Sequence, residues 1–112
     1  MTKHIFVVFT DPVPGRELEY NAWYNEHHLE DVLSIPGFVA AQRFKLVGDG
    51  QKNLPGSNLA IYEMETDDPA AVVATLNAAA HEGHMIISNA LDIDSAVTAI
   101  FTPITERMHL SK

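Results

Sequence analysis

The stretch YNAWYNEHHLEDVLSIPGF, residues 20–38, combines a helical pattern, a helix end and the start of a strand. Pro36-Gly37 ends the helix, and the apolar run after it predicts a strand over residues 38–47. Upstream, the helical spacing predicts a helix from about residue 14 to residue 33. Its buried stripe is predicted to comprise Leu18, Ala22, Leu29, Val32 and Leu33. The aromatic and imidazole side chains of residues 20–28 are therefore predicted to flank the core stripe.

The segments on either side complete the order of elements. Runs rich in Ile, Val and Phe predict strands at residues 4–10, 59–65 and 96–102. Asp68 as N-cap and Pro69 at the first helical position begin a second helix, which Gly83 ends. Its buried stripe is predicted to comprise Val72, Val73, Leu76, Ala79 and Ala80. Residues 86–94 fit either a loop or a short helical turn.

The order β-α-β-β-α-β over residues 1–112 predicts a single domain of the α+β class. Its fold is ferredoxin-like, with a four-stranded antiparallel sheet and both helices on one face. The strands are apolar on both faces: in the first strand, residues 5–9 are all Ile, Val or Phe. A sheet with one wet face would instead alternate apolar with polar residues. We therefore expect a second copy of the chain to cover the open face, giving a homodimer.

Composition narrows the classes of function. Fifteen acidic residues against seven basic ones give a formal charge of −8, which repels phosphate backbones, so no nucleic-acid partner is expected. The sequence contains no cysteine, which excludes disulfides, thiolate metal sites and thiol nucleophiles. No segment has the pattern of a signal peptide or a membrane-spanning helix, so we expect a cytoplasmic protein without a membrane partner.

Two adjacent histidines are the first candidates for chemistry. His27 and His28 follow Trp23 and Tyr24 by four residues, so each pair is predicted to stack along the helix. Histidine titrates near neutral pH and suits proton transfer. The alternative is that one histidine is solvated and the other only bonds to a carboxylate or a backbone carbonyl.

Other candidates lie farther along the chain. His81 and His84 could line a pocket, share a metal with a carboxylate, or stabilise the C-terminus of the second helix as partly cationic groups. Their spacing is not that of the His-Glu-x-x-His zinc motif, so a pocket role is favoured and no metal is predicted. Arg43, on the second strand, either holds an anionic group of a substrate or forms an ion pair at the sheet edge. Tyr62 is a candidate wall residue on the third strand.

The run Tyr20-x-x-Trp23-Tyr24-x-x-x-His28-Leu29-x-Asp31-Val32-Leu33-x-Ile35-Pro36-Gly37-Phe38 resembles the dimeric α/β barrel superfamily, in particular its EthD-like branch. The resemblance implies a barrel formed between two subunits. It also implies a pocket in each subunit, lined by Trp23 and His28 of the first helix with Tyr20 and Tyr24 beside them. His27 has no counterpart in that pattern and is predicted to be exposed. Where relatives often have proline two residues after the histidine, this chain has Glu30.

The resemblance and the residues together predict a small enzyme that needs no cofactor. His28 would move a proton, helped by Tyr20 or Tyr24, on a hydrophobic, aromatic or polyketide-like small molecule. Lyase, isomerase, dehydratase or cyclase chemistry in a catabolic pathway fits such a group. The first alternative is a cofactorless or haem-dependent monooxygenase. The second is a non-catalytic dimer that binds a ligand or assists a partner enzyme.

Overall fold

A computed structural model describes residues 2–48 and 53–111. Within them, one antiparallel sheet is formed by β1 (Lys3–Pro12), β2 (Phe38–Lys45), β3 (Asn58–Glu65) and β4 (Leu91–Phe101), in the order β2-β3-β1-β4. The first helix has three segments, α-helical over Glu17–Trp23, π-helical over Tyr24–His28 and α-helical over Leu29–Leu33. The second helix is Pro69–His81. The predicted ferredoxin-like architecture is confirmed.

Local chemistry fixes the ends of the helices. The Asp68 carboxylate accepts a hydrogen bond from the Ala71 backbone N–H at 3.1 Å, as predicted for an N-cap. Gly83 follows the second helix with φ +77°, a conformation that favours glycine. Gly37, after the first helix, has φ +107°, and a Cβ there would lie 2.7 Å from a methyl carbon of Val72. This glycine therefore permits both the turn and the close approach of the second helix.

The core lies between the two helices and one face of the sheet. The paired residues Phe6 and Tyr62, on β1 and β3, are buried there against the aromatic side chains of the first helix. The predicted buried stripe of the second helix is confirmed, because Val72, Leu76 and Ala79 are buried. Among the described residues no helix is long and apolar enough to cross a membrane.

The predicted stripe of the first helix is wrong for three of its five members. Leu18 is 90% exposed, and Ala22 and Leu33 are exposed as well, whereas Val32 is buried and Leu29 is partly buried. The inward face instead carries the aromatic residues Tyr20, Trp23 and Tyr24. Their spacing of three and four residues fits one helical face as well as the spacing of the predicted stripe does. Each aromatic ring also buries more apolar surface than leucine or alanine.

Two predicted boundaries also need correction. β2 ends at Lys45, and Val47 beyond it is exposed. β4 begins at Leu91, five residues earlier than expected, because residues 91 and 92 pair with Pro12 and Asp11 of β1 beyond a bulge. The segment before it, residues 82–90, forms turns and loop without a helix.

The sheet face away from the helices is largely apolar, as predicted, although Glu63 and Gln42 also lie on it. Across β3, β1 and β4, Val7 lies beside Ile61 and Ala99, and Phe9 lies beside Leu59 and Val97. Farther along this face, Phe101 is 55% exposed. A contiguous apolar surface of this kind on a small domain is typical of an interaction surface.

Candidate active site

A cavity of about 410 Å³ lies between the sheet and the two helices. This volume falls within the range of small-molecule sites, roughly 300–1,000 Å³. Most of its lining is apolar, with a few polar side chains. The lining residues are Phe6, Val8, Thr10, Trp23, Tyr24, His28, Val32, Tyr62, Leu76, Asn77, Ala80, His81, Met85, Ile87, Leu91, Ile93, Ala96 and Thr98. His28 of the first helix and His81 of the second, both candidate pocket residues from the sequence, line the same cavity.

The π-helical segment determines where His28 points. The Leu29 N–H donates to the carbonyl of Tyr24, five residues earlier, so the helix is widened by one residue at this turn. As a result His28 stacks on Trp23, with ring centroids 4.5 Å apart and planes inclined by 25°. The Tyr24 ring meets His28 edge-on at 5.1 Å. The predicted four-residue stacking of Trp23 with His27 is wrong, and His27 is exposed, as expected for it.

Burial makes His28 a neutral group. Its removal from solvent lowers the pKa from the ordinary 6.5 to about 4, and the Asp31 carboxylate opposes this shift only in part. Its Nδ1 is buried and has no hydrogen-bond partner among the described residues. An unpartnered buried nitrogen costs about 1–3 kcal/mol, and such groups recur at functional sites. The imidazole is therefore uncharged at neutral pH and retains a lone pair that can accept a proton.

Two tyrosines form a polar patch on the cavity wall. The Tyr62 hydroxyl donates to the Tyr24 hydroxyl at 3.5 Å. Burial raises the pKa of both phenols above the ordinary value, so both stay protonated. Tyr20, in contrast, does not line the cavity: it is fully buried, and its hydroxyl shares a 2.5 Å hydrogen bond with Thr10. Of the two tyrosines predicted as helpers of His28, the structure therefore brings Tyr24 to the cavity.

Arg43 lies behind the aromatic layer, outside the cavity lining. Its guanidinium donates to the side-chain oxygens of Asn25 at 2.7 Å and Asn21 at 2.9 Å. The same group sits 4.3 Å from the centroid of the Tyr24 ring, a cation–π contact. Arg43 therefore supports the aromatic wall from outside, and the structure does not bring it to a position for holding an anionic group in this cavity.

The second helix contributes one predicted residue and one that sequence reasoning missed. Asn77 and His81 both line the cavity, and their spacing of four residues places them on one face of the helix. That spacing to a candidate histidine was the signal that could have found Asn77. His84 is exposed beyond the helix end and does not line the cavity. Within residues 2–48 and 53–111 no group of three potential metal ligands is found.

Trp23 also fixes the loop of residues 82–90. Its indole N–H donates to the carbonyl of Ile86 at 2.8 Å. Met85 and Ile87 on either side of this carbonyl line the cavity. At the far end of the loop, the Arg16 guanidinium donates to the carbonyl of Asn89 at 3.1 Å. One aromatic residue thus holds both the histidine and the loop that closes part of the cavity.

The similarity of this chain to known proteins is found at the level of three-dimensional structure. No protein-family model matches the sequence, and no curated protein matches it. A candidate monooxygenase from Shewanella loihica PV-4 matches 93% of this chain and 96% of its own, with 17% identity and a TM-score of 0.59. The haem degrader MhuD of Mycobacterium tuberculosis, with two haems bound in its active site, matches 94% and 99%, with 15% identity and a TM-score of 0.66. The chain shares the ferredoxin-like fold with these proteins.

An EthD family protein from Bacillus halodurans C-125 shares this ferredoxin-like fold. It matches 93% of this chain and 100% of its own, with 13% identity and a TM-score of 0.50. The resemblance drawn from residues 20–38 is therefore confirmed at the level of the fold. None of these three proteins is named as a lyase or an isomerase.

Proposed function

We propose that this chain is a cofactor-independent monooxygenase of a hydrophobic phenolic molecule, with His28 as the general base. The observation that carries the proposal is the neutral His28 imidazole, which stacks on Trp23 in the wall of an apolar cavity. A phenol whose hydroxyl reaches this nitrogen can give up its proton there. The names of two proteins of similar fold, a candidate monooxygenase and a haem degrader, favour oxidative chemistry over isomerisation.

The reaction balances without a cofactor. A phenol and O₂ give a quinone and water: one oxygen atom becomes the new carbonyl oxygen, the other leaves as water, and the substrate supplies all four electrons. Proton transfer to His28 produces an electron-rich phenolate, which is the form that donates electrons to O₂. Because its pKa is only about 4, the imidazole is a weak base for a phenol, so the transfer depends on the attraction between the imidazolium and the phenolate formed beside it. This attraction is strong because the cavity is apolar.

The protonated tyrosines suit the second part of this chemistry. Tyr24 and Tyr62 keep their protons because burial raises the pKa of each. They can therefore donate hydrogen bonds to an oxygen that gains negative charge. The apolar remainder of the lining offers water few hydrogen-bond partners beside the intermediates.

A haem group fits this cavity poorly. The two histidines of the lining offer ligand nitrogens, but the described lining has no lysine or arginine to pair with the two carboxylates of a haem. Titration of the protein with haem, followed by its visible absorption, checks this point: a saturable spectral shift at one haem per chain would contradict it.

The homodimer belongs to the same proposal. The apolar face of β1 and β4, with Phe101 and Val97 about half exposed, would be covered by the same face of a second copy. We further propose that the protein is cytoplasmic and has no membrane or nucleic-acid partner, and its formal charge of −8 supports the last point. Light scattering at micromolar concentration should give twice the mass of the chain. A stable monomer would refute the dimer.

The reaction class is tested by oxygen dependence. A panel of naphthols and hydroxylated polycyclic phenols is incubated with the protein in air and under argon, while an oxygen electrode and quinone absorption are recorded. We expect quinone to form only in air, with one O₂ consumed per quinone. Turnover that proceeds equally under argon would refute the monooxygenase and favour the lyase or isomerase alternative. Saturable binding without turnover of any compound would favour a ligand-binding dimer.

A further inference from the structure

The cavity lining is free of permanent charge. Among its residues, all within the described part of the chain, there is no lysine, arginine, aspartate or glutamate. The lining groups that can become cationic are His28 and His81. Since burial lowers the pKa of His28 to about 4, that side chain is not a counter-ion at neutral pH. Arg43, which the sequence suggested as a partner for an anionic group, is bound outside the cavity by the side chains of Asn21 and Asn25.

The opening of the cavity has the same character. The lining residues that are exposed, and therefore lie toward solvent, are Asn77, His81, Ile87, Ile93, Ala96 and Thr98. Apart from the one histidine, none of these side chains can carry charge. The chain as a whole has a formal charge of −8, which repels anions before they reach the opening.

Binding of an anionic ligand in this cavity would carry an unfavourable free energy of desolvation. A carboxylate or phosphate loses its hydration in an apolar cavity, and without a cation beside it this loss is not offset. An uncharged hydroxyl or carbonyl loses much less, and the amide of Asn77 or the hydroxyl of Thr98 can bond to it.

We propose that this cavity selects uncharged aromatic molecules over their carboxylated or phosphorylated analogues, and that Asn77 is a position that sets this selectivity. Asn77 stands at the opening, on the same helical face as His81, and its side chain is polar without charge. The inference deepens the proposed function, because it names the substrate class of the same cavity. It rests on the proposed function of this cavity, and its test measures binding alone.

The test compares 2-naphthol with 6-hydroxy-2-naphthoic acid, which differ by one carboxylate. Dissociation constants are measured by calorimetry under argon at about pH 8, where the carboxyl group of the acid is ionised. Trp23, the single tryptophan of the chain, lines the cavity and reports the same binding through its fluorescence. We expect 2-naphthol to bind at least about tenfold more tightly, which corresponds to one uncompensated charge at a partly open site.

The matched variants are Asn77→Arg and Asn77→Gln. Arginine supplies the missing cation, so the ratio of the two dissociation constants should shift toward the carboxylate by at least about tenfold, whereas glutamine should leave the ratio unchanged. Thr98→Lys, on a different element, repeats the test if Asn77→Arg does not fold.

Three results would overturn the inference. The first is equal or tighter binding of the carboxylate to the unmodified chain. The second is an unchanged ratio of the two dissociation constants in folded variants that carry the added cation, and the third is no binding of either compound at millimolar concentration. Failure of the proposed function looks different. In that case 2-naphthol binds with the expected preference, but no oxygen is consumed in air.

Discussion

Acidification should destabilise this protein through His28. The imidazole titrates at about 4 in the folded chain and at an ordinary 6.5 when unfolded. Between these two values the unfolded chain binds more protons than the folded one. The free energy of unfolding must therefore fall as the pH falls through this window, and it is insensitive to this histidine above the window.

The size of the effect follows from the two pKa values. Linkage gives a loss of about 2 kcal/mol between about pH 7.5 and about pH 5 from this one group. With a urea slope near 2 kcal/mol per molar, the unfolding midpoint should move down by about 1 M. His28→Gln removes the titrating group and should remove that part of the shift.

Urea titrations at the two pH values, at fixed protein concentration, measure the difference. The fluorescence of Trp23, which packs against His28, reports unfolding. His27→Gln is the matched control, because it removes an exposed histidine of the same helix and should leave the pH dependence in place. If His28→Gln and the unmodified chain lost equal stability on acidification, the account of a buried neutral His28 would be refuted.

Other substitutions test the surroundings of the site. Gly37→Ala should lower stability by about 2–3 kcal/mol in thermal unfolding, because its φ is +107° and the added methyl would lie 2.7 Å from a side-chain carbon of the second helix. Trp23→Phe keeps a stacking ring but loses the hydrogen bond to Ile86, so stability should fall by about 1 kcal/mol and limited proteolysis within residues 82–90 should become faster. Arg43→Met should cost about 1–2 kcal/mol in urea unfolding, since it removes two hydrogen bonds and the cation–π contact.

The fold could be read from the sequence because its signals are local. Asp68-Pro69 specified the start of the second helix, and the apolar runs specified the strands. The early start of β4 could not be predicted from the local sequence. Residues 91 and 92 are extended because they pair with β1 across a bulge, and strand pairing is a long-range property. The apolar open face was visible in the sequence because side chains alternate along every strand.

Several residues of the site could be predicted from the sequence, but their arrangement in space could not. His28, Trp23 and Tyr24 could be named from their positions, yet the π-helical turn that stacks His28 on Trp23 follows no simple spacing rule. The aromatic residues were assigned to the flank because leucines offered an equally good helical stripe. Only packing against the sheet decides between two such stripes. Arg43 was misplaced for a similar reason, since its partners Asn21 and Asn25 lie on a different element.

In the proposed reaction, His28 takes a proton from a phenol bound in the cavity. Oxygen consumption by the unmodified chain, His28→Ala and His27→Ala, with the best phenol of the panel and with binding of that phenol measured in parallel, tests it most directly. We predict that His28→Ala slows oxygen consumption by about 10²–10⁴-fold while the phenol still binds, and that His27→Ala stays near the unmodified rate. Equal rates for His28→Ala and the unmodified chain, or equal losses in both variants, would contradict the claim.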